Sequence, residues 1–290
     1  MSSVLLASCA SAAGTDEDEP LLLAALAEAG VAAAVADWAD PRVDWAAAGA
    51  VVVHSTWDYA PRRDDFLAWA RAVEAATALF NPADVLTWNT DKRYLTELAA
   101  AGLPVVPTAW SGTPATLDAA LAVGEDVVVK PAVSAGARDT ARFRPGQRTA
   151  ARDFAAAVLA GGRVVMVQPY LERLDDEGET GLVYVDGAFS HAFRKDALLA
   201  GGPLGEGLFA AETITARTPT AAQREVGDRV LAAVAARTGA PPLYARVDLV
   251  PGPDGGPVLL ELELTEPSLF LTTDDGAAAR VAAALAARLG

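Results

Sequence analysis

Leu260-Glu261-Leu262-Glu263-Leu264 alternates strictly between apolar and acidic residues. Successive side chains of a β-strand point to opposite faces, so the leucines share one face and Glu261 and Glu263 the other. Upstream, Tyr244-Ala245-Arg246-Val247-Asp248 puts Arg246 and Asp248 on one face, and Pro251–Gly256 supplies the turn residues of a hairpin. A symmetric hairpin sets 246 opposite 261 and 248 opposite 259, and crowds Asp248, Glu261 and Glu263 onto one surface. Like charges that close repel unless a cation or a proton separates them. Two arrangements follow: an oxygen-ligand site of the Mg²⁺ kind, or a solvated acidic face with Arg246 as an ordinary ion-pair partner. In both, the leucine face packs on a core.

Working outward, the basic residues are informative. The chain holds only three lysines, Lys92, Lys130 and Lys195, and every other basic residue is arginine. Lys130 ends the apolar strand Val127-Val128-Val129-Lys130, where an ammonium needs an anion or an exit to water. The loop Ser134–Thr140, with Ser134 and Gly136 among its small residues, can fold over a triphosphate and offer backbone N–H groups. Lys92 falls in the first turn of a helix expected over Asp91–Ala101, capped by Asn89-Thr90-Asp91. A lysine there opposes the helix dipole, which points to a nearby anion or else to a plain surface lysine. Strand Val164–Gln168 runs into Gln168-Pro169-Tyr170-Leu171, which can present backbone groups to a purine edge or act as an ordinary hinge. Glu179 follows before the next strand.

The remainder of the 290 residues organises around these stretches. Strands at Val4–Cys9, Val31–Ala36 and Ala50–His54, with helices from Pro20 to Ala29 and over Asp64–Ala76, give a βαβαβ rhythm and a parallel-sheet domain over residues 1–88. The central part, 89–170, carries strands at Thr140–Phe143 and Val164–Gln168 and a helix over Ala150–Leu159. The last part, 171–290, is antiparallel, with strands Leu182–Val185 and Ala188–Arg194, a helix over Ala221–Arg237, the acidic hairpin and a closing helix over Ala277–Leu289. The fold class is α/β in the first half and α+β in the second. Leu6-Ala7-Ser8-Cys9 mimics a lipoprotein signal, but no basic residue precedes it and the apolar run is short, so it reads as a buried strand.

Composition narrows the function. With 23 basic against 38 acidic side chains the net charge is −15, which disfavours nucleic-acid backbones and anionic membranes. One cysteine excludes a disulfide framework or a thiolate zinc site, and two histidines disfavour a histidine-rich metal centre. After the first strand a Rossmann dinucleotide site needs G-x-G-x-x-G, whereas Ala10-Ser11-Ala12-Ala13-Gly14 has a single glycine. None of the lysines follows a glycine, so there is no P-loop. The expected location is the cytoplasm.

Taken in order, Asn89-Thr90-Asp91-Lys92, Val128-Val129-Lys130-Pro131, Ser134–Thr140, Gln168-Pro169-Tyr170-Leu171, Arg246-Val247-Asp248 and Leu260-Glu261-Leu262-Glu263 resemble the ATP-grasp superfamily over nearly the whole chain. The arrangement is most similar to glutathione synthetases and to the glutamate ligases that modify a ribosomal protein. Ser55-Thr56-Trp57-Asp58-Tyr59 and Glu266-Pro267-Ser268-Leu269-Phe270 resemble the ligases that close the D-cycloserine ring. The resemblance implies an ATP-grasp fold with a Rossmann-like pre-ATP-grasp domain on the substrate side. It implies an ATP-dependent carboxylate–amine ligase working through an acyl-phosphate on a small amino-acid-like substrate, by ring closure or by joining two molecules. Lys92 and Lys130 would hold ATP phosphates under the loop of Ser134 and Gly136. Gln168, Tyr170 and Leu171 would frame adenine, and Glu179 would take the ribose. Asp248, Glu261 and Glu263 would bind two Mg²⁺, with Mn²⁺ able to substitute. Arg246 would steady the transferring phosphoryl group, and one of Arg194 and Lys195 would reach it from a neighbouring strand. Thr56, Trp57 and Asp58 leave the carboxyl end of a strand, where ligands of parallel sheets sit, and are the candidate substrate contacts. The alternative readings are Thr56–Asp58 as a lid over the core, His54 and His191 as structural, and the whole chain as a nucleotide-binding sensor or scaffold without ligase chemistry. A further alternative is a hydrolase using Glu261 and Glu263, although carboxylates two apart on one strand are poorly placed to flank a scissile bond. Two departures stand out: Glu263 replaces the usual asparagine, and Gly181 sits where those synthetases carry arginine. The partners implied are a small carboxylate and an amine, with no nucleic acid and no membrane; a dimer is common among such ligases.

Overall fold

The computed structural model of the protein describes residues 3–136, 138–197, 202–203 and 213–290, so Ala137 of the expected phosphate loop lies outside the described residues. The chain opens with β1 (Ser3–Ser8), α1 (Asp18–Glu28), β2 (Ala32–Asp37), β3 (Ala50–Ser55), α2 (Arg63–Ala76) and β4 (Ala78–Phe80). These strands form a parallel sheet in the order β2-β1-β3-β4. Helices α3 (Ala83–Asn89) and α4 (Tyr94–Ala100) follow. Then come β5 (Ala109–Ser111), α5 (Pro114–Ala120), β6 (Val127–Pro131), β7 (Ala141–Phe143), α6 (Arg148–Ala160) and β8 (Val165–Pro169). The last part holds α7 (Leu174–Glu177), β9 (Glu179–Val185), β10 (Ala188–Lys195), β11 (Gly202–Pro203), β12 (Ile214–Ala216), α8 (Ala221–Thr238), β13 (Tyr244–Pro251), β14 (Pro257–Glu263) and α9 (Ala277–Leu289). Two antiparallel sheets result, ordered β11-β7-β6-β8-β5 and β12-β10-β9-β13-β14.

The alternation of the second antiparallel sheet decides what packs where. Leu182, Tyr184, Ala245, Val247, Leu262 and Leu264 face α8 and the α3–α4 pair, joining Val230, Val234, Trp88, Leu95 and Leu98 in one core. The opposite-facing Val183, Val185 and Tyr244 meet Val4, Leu6, Leu22 and Leu26 of the parallel-sheet unit and Val281 and Leu285 of α9. Further along that same face lie Glu179, Gly181, Arg246, Asp248, Glu261 and Glu263. The sheet is therefore apolar where it meets its neighbours and charged only where it leaves them.

Two expectations from the sequence are corrected. No helix starts at Asp91: Asn89 is the last residue of α3 and α4 begins at Tyr94, so Lys92 sits in the turn between them. Asn89 does not cap a helix but edges β14, accepting from Leu264 N (2.7 Å) and donating to Leu262 O (2.8 Å). Asp91 closes the turn instead of capping a helix, accepting from Arg93 N at 3.0 Å. The hairpin is also not symmetric. Arg246 pairs with Glu263 and Asp248 with Glu261, and the register shifts between Asp248 and Leu249. The bulge turns Leu260 out of the leucine face and into a cavity. Pro104 and Pro107 bracket a segment clamped to β14: Val106 N donates to Leu259 O (2.9 Å) and Leu259 N to Pro104 O (2.7 Å).

Buried asparagine and aspartate side chains tie the units together. Asn81, fully buried, accepts from Leu243 N (2.8 Å) and donates to Tyr244 O (3.0 Å) and Leu264 O (2.7 Å). Asp18 accepts from Leu269 N, Phe270 N and Leu271 N at 2.7, 2.9 and 2.7 Å, although it lies some 250 residues away in sequence. Among the described residues no helix is long and apolar enough to cross a membrane. Replacing Asn81 by Ala strands buried backbone groups that water does not reach, at about 1–3 kcal/mol for each one left unsatisfied. Urea unfolding of Asn81→Ala should therefore show a loss of at least about 2 kcal/mol; a change below about 0.5 kcal/mol, the scale of surface substitutions, would mean that this seam is not a stabilising joint.

Candidate active site

A cavity of about 230 Å³ opens where the two antiparallel sheets face each other. From the first sheet β6 sends Val127 and Val129 into its own core with α5 and α6, leaving Val128 and Lys130 toward the cavity. In the same way β8 buries Val165 and Val167 and presents Gln168. From the second sheet come Glu179, Lys195, Arg246, Asp248, Glu261 and Glu263. The parallel-sheet unit contributes Trp57 and Tyr59, and the segment after β14 adds Glu266, Ser268 and Phe270.

Ion pairs organise the floor. Lys92 Nζ lies 2.9 Å from Glu261 Oε1 and donates to Ser134 O at 2.7 Å. Lys130 Nζ is 3.8 Å from Glu261 Oε2. Glu261 is thus held from both sides, by the turn before α4 and by β6. Arg246 is buried, donates from Nε and Nη2 to Asp248 at 2.8–3.1 Å, and also pairs with Glu263. Lys195 Nζ stands 3.0 Å from Glu179 Oε1.

Burial works against the charges on Glu261, Glu263, Glu179, Lys92 and Lys130, and the neighbours decide the outcome. For Glu261 burial raises the carboxyl pKa, but Lys92 and then Lys130 outweigh it and bring it down to about 2. Burial dominates for Glu263 and Glu179, pushing both up to about 7 despite Arg246 and Lys195 respectively. Glu266 is pushed up to about 8 by burial, with Glu263 adding repulsion. Burial also lowers Lys130, and Glu261 only partly restores it. Lys92, under the same burial, is lifted above the ordinary lysine value by Glu261.

The residues singled out from sequence fall into two groups. Lys92, Lys130, Ser134, Gly136, Gln168, Tyr170, Leu171, Glu179, Lys195, Arg246, Asp248, Glu261, Glu263 and Trp57 all line the cavity. Arg194, Thr56 and Asp58 do not. In β10 Phe193 pairs with Gly181 and Lys195 with Glu179, so those side chains share the cavity face and Arg194 must take the other. It is held there by Glu177 O (3.0 Å) and by Asp196. Thr56 is fully buried, and Asp58 faces outward, accepting from Trp38 Nε1 at 2.7 Å and pairing with Arg62. Only the middle residue of that triplet turns inward. The expected crowding of three acids is also modified. Among the described residues no three His, Cys, Asp or Glu side chains draw together tightly enough to hold a metal ion, because Arg246 lies between Asp248 and Glu263 and Lys92 occupies Glu261.

Sequence reasoning assigned no role to Tyr59, Glu266, Ser268 or Phe270, although each lines the cavity. The signal was available, since 266–270 directly follows a strand whose acidic face was already placed. Gly181 has a physical reason too. A Cβ there would lie 2.1 Å from Phe193 Cζ, and the Phe193 ring packs edge-on against Phe270 with centroids 4.5 Å apart. The position therefore holds no side chain of its own and backs an aromatic pair, Phe193 against Phe270. His191 Nε2 donates to Leu269 O at 2.7 Å and, with Asp18, fixes the backbone that carries Phe270.

Residues 4–81 match the family model of the D-cycloserine synthetase DcsG N-terminal domain. The chain is 41% identical over 286 residues to the cycloserine biosynthesis protein DcsG of Streptomyces lavendulae, covering 94% of each. It superposes on the crystal structure of D-cycloserine synthetase DcsG with a TM-score of 0.92 at 40% identity, covering 99% of this chain and 100% of the other. The ATP-grasp ligase PsnB, solved with a minimal precursor, Mg and ADP, gives 0.65 at 21% identity over 99% and 97% of the two chains. D-alanine–D-alanine ligase from Bacillus anthracis, solved with ATP, gives 0.68 at 13% identity over 99% of each. The likeness to the last two shows a shared fold, that of the ATP-grasp ligases.

The Glu266 shift carries a pH signature. Its carboxyl sits at the ordinary 4.5 when unfolded and at about 8 when folded, so between those values the folded protein holds the extra proton. The stabilisation belonging to this group is present below the lower value and is lost as pH rises through the upper one, by up to about 1.4 kcal/mol per pH unit. Nucleotide-free protein unfolded with urea from pH 5 to pH 8 should lose stability as pH rises, and Glu266→Gln should flatten that slope. An identical slope in the variant would show that Glu266 is not the buried acid described.

Proposed function

The chain belongs to the D-cycloserine synthetase family of ATP-grasp ligases, and from that premise we propose that it uses ATP to activate the carboxylate of a small amino-acid-like substrate and closes a ring onto a nitrogen of the same molecule. A substrate carboxylate oxygen attacks the γ-phosphorus of ATP and ADP leaves. The nitrogen then attacks the acyl carbon, phosphate departs with that oxygen, and a C–N bond remains. Free carboxylate is a poor electrophile, so the phosphoryl group supplies the leaving group. The protein supplies no nucleophile; it neutralises charge, positions the reactants and keeps water from the acyl-phosphate.

The single observation that carries this reading is the cavity in which Lys92 and Lys130 flank Glu261, so that the basic strand and the acidic hairpin address one space. Lys92, Lys130 and the loop of Ser134 and Gly136 would take the phosphates. Gln168, Tyr170 and Leu171 would border the adenine, and Glu179 the ribose. Lys195 and Arg246 would offset the charge on the transferring phosphoryl group. The donor set fits a hard dication: Asp248, Glu261 and Glu263 offer oxygen ligands on one face of the sheet, and Glu263 carries a pKa of about 7 that a neighbouring cation would lower. Two Mg²⁺, or Mn²⁺ in their place, would supply neutralisation of the triphosphate and polarisation of the γ-phosphoryl when bound there. Lys92 and Arg246 would then exchange carboxylate for phosphate. A sensor or scaffold without chemistry would be free to lose a lysine or a carboxylate, and this chain keeps them all. We also read residues 1–88 as the substrate-side unit, 89–170 as the lid-bearing unit and 171–290 as the metal-bearing one, in a cytoplasmic homodimer that engages neither nucleic acid nor membrane.

Lys130→Ala and Glu261→Gln should each cut ADP formation at least about 100-fold, the scale of losing one aligned charge partner of a transition state, with the circular dichroism spectrum unchanged. Near-normal turnover in either variant would place the phosphates elsewhere. Trp57→Ala should raise the substrate KM while leaving Mg·ADP affinity intact; equal loss of both would assign Trp57 to the nucleotide side.

A further inference from the structure

The acids lining the cavity are Glu179, Asp196, Asp248, Glu261, Glu263 and Glu266. The first five each face a cation: Lys195, Arg194, Arg246, Lys92 and Arg246 in turn. The Glu266 carboxylate has no ion pair and no hydrogen bond among the described residues. Its backbone, by contrast, is fixed, since Trp57 Nε1 donates to Glu266 O at 3.1 Å. The following residues are fixed as well, with Ser268 O accepting from Arg246 Nη1 at 3.0 Å and Leu269 N and Phe270 N donating to Asp18. A rigid backbone thus presents a carboxyl group with no ion-pair partner among the described residues to a cavity that Trp57 and Tyr59 also line.

Resting on the ligase reading above, we propose that Glu266 is the specificity-determining residue of the substrate subsite and takes an ammonium group that the substrate keeps throughout the reaction. A charge-assisted hydrogen bond from an ammonium to a buried carboxylate is among the stronger polar contacts a site can offer. Trp57 and Tyr59 add aromatic surface, which favours a cation over a neutral group. Burial already holds the Glu266 carboxyl protonated near neutrality, and an arriving ammonium is the partner that lets it ionise. An amine paired in this way stays protonated and has no lone pair to offer. It therefore cannot be the nitrogen that attacks the activated carboxyl.

The test compares wild type, Glu266→Gln and Glu266→Asp in two assays on the full chain. The first measures ADP release with Mg·ATP across pairs of carboxylic acids that are identical except for the α-amino group. The second measures binding of D-cycloserine, and of 1,2-oxazolidin-3-one, which lacks the amine, in the presence of Mg·ADP. Wild type should favour the amino member by roughly 10-fold or more, the scale of a hydrogen bond to a charged group. Glu266→Gln should lose that preference through KM, with Mg·ADP affinity unchanged, and Glu266→Asp should recover part of it. Retention of the full preference in Glu266→Gln, or equal loss of Mg·ADP binding, would overturn the proposal. If D-cycloserine does not bind but the amino-acid preference in ADP release depends on Glu266, the ring-closure reading fails and the role of Glu266 stands.

Discussion

Everything in this molecule that bears on chemistry depends on burying Glu261 between ammonium groups from two separate elements. A lone carboxylate in that position would take up a proton, as burial alone demands. Lys92, from the turn before α4, and Lys130, from the end of β6, hold it ionised instead, down to about 2. Neither lysine is close to Glu261 in sequence, so the double pairing exists only when the α3–α4 turn and β6 both meet β14. Conversely, two ammonium groups held this near each other need an anion between them, which makes the seam a natural receptor for phosphate.

The period-two geometry of strands converts that local chemistry into architecture. Because β9, β13 and β14 put leucine, valine and tyrosine on the α8 side, their polar residues have no choice but to gather on the other. The parallel-sheet unit and α9 cover the apolar end of that second face and leave the charged end open. The same rule selects Lys195 over Arg194, a choice that a linear sequence leaves undecided but a single pairing register settles. Gly181 shows the complementary effect: with no side chain it admits the Phe193 ring, which packs edge-on against Phe270 at the cavity wall.

Much of this was legible in the sequence because it rests on patterns that survive in one dimension. The hairpin alternation, the three lysines and the βαβ rhythm each rest on spacing or composition. The failures were equally physical. A one-residue bulge at Leu260 leaves no mark on an alternating pattern until a partner strand is known. Three-residue strands such as β4 and β5 are too short to display a period. Asn89 has the chemistry of a helix cap, yet it satisfies the free edge of β14, because an unpaired strand edge is the more costly need. Thr56 and Asp58 were grouped with Trp57 by proximity, whereas consecutive residues leaving a strand point in different directions. Asp18 anchors the segment carrying Phe270, a contact across some 250 residues that no local signal could announce.

The central claim is that a nucleotide tail and divalent ions lie between the strand ending in Lys130 and the hairpin bearing Glu261. A crystal structure of the protein with Mn²⁺ and AMPPNP, read by the anomalous signal of manganese, addresses it directly. The account predicts manganese peaks coordinated by Glu261 and at least one of Asp248 and Glu263, with Lys130 against the phosphates. Manganese bound away from the hairpin, or a triphosphate that leaves Lys92 and Lys130 still clasping Glu261, would contradict it.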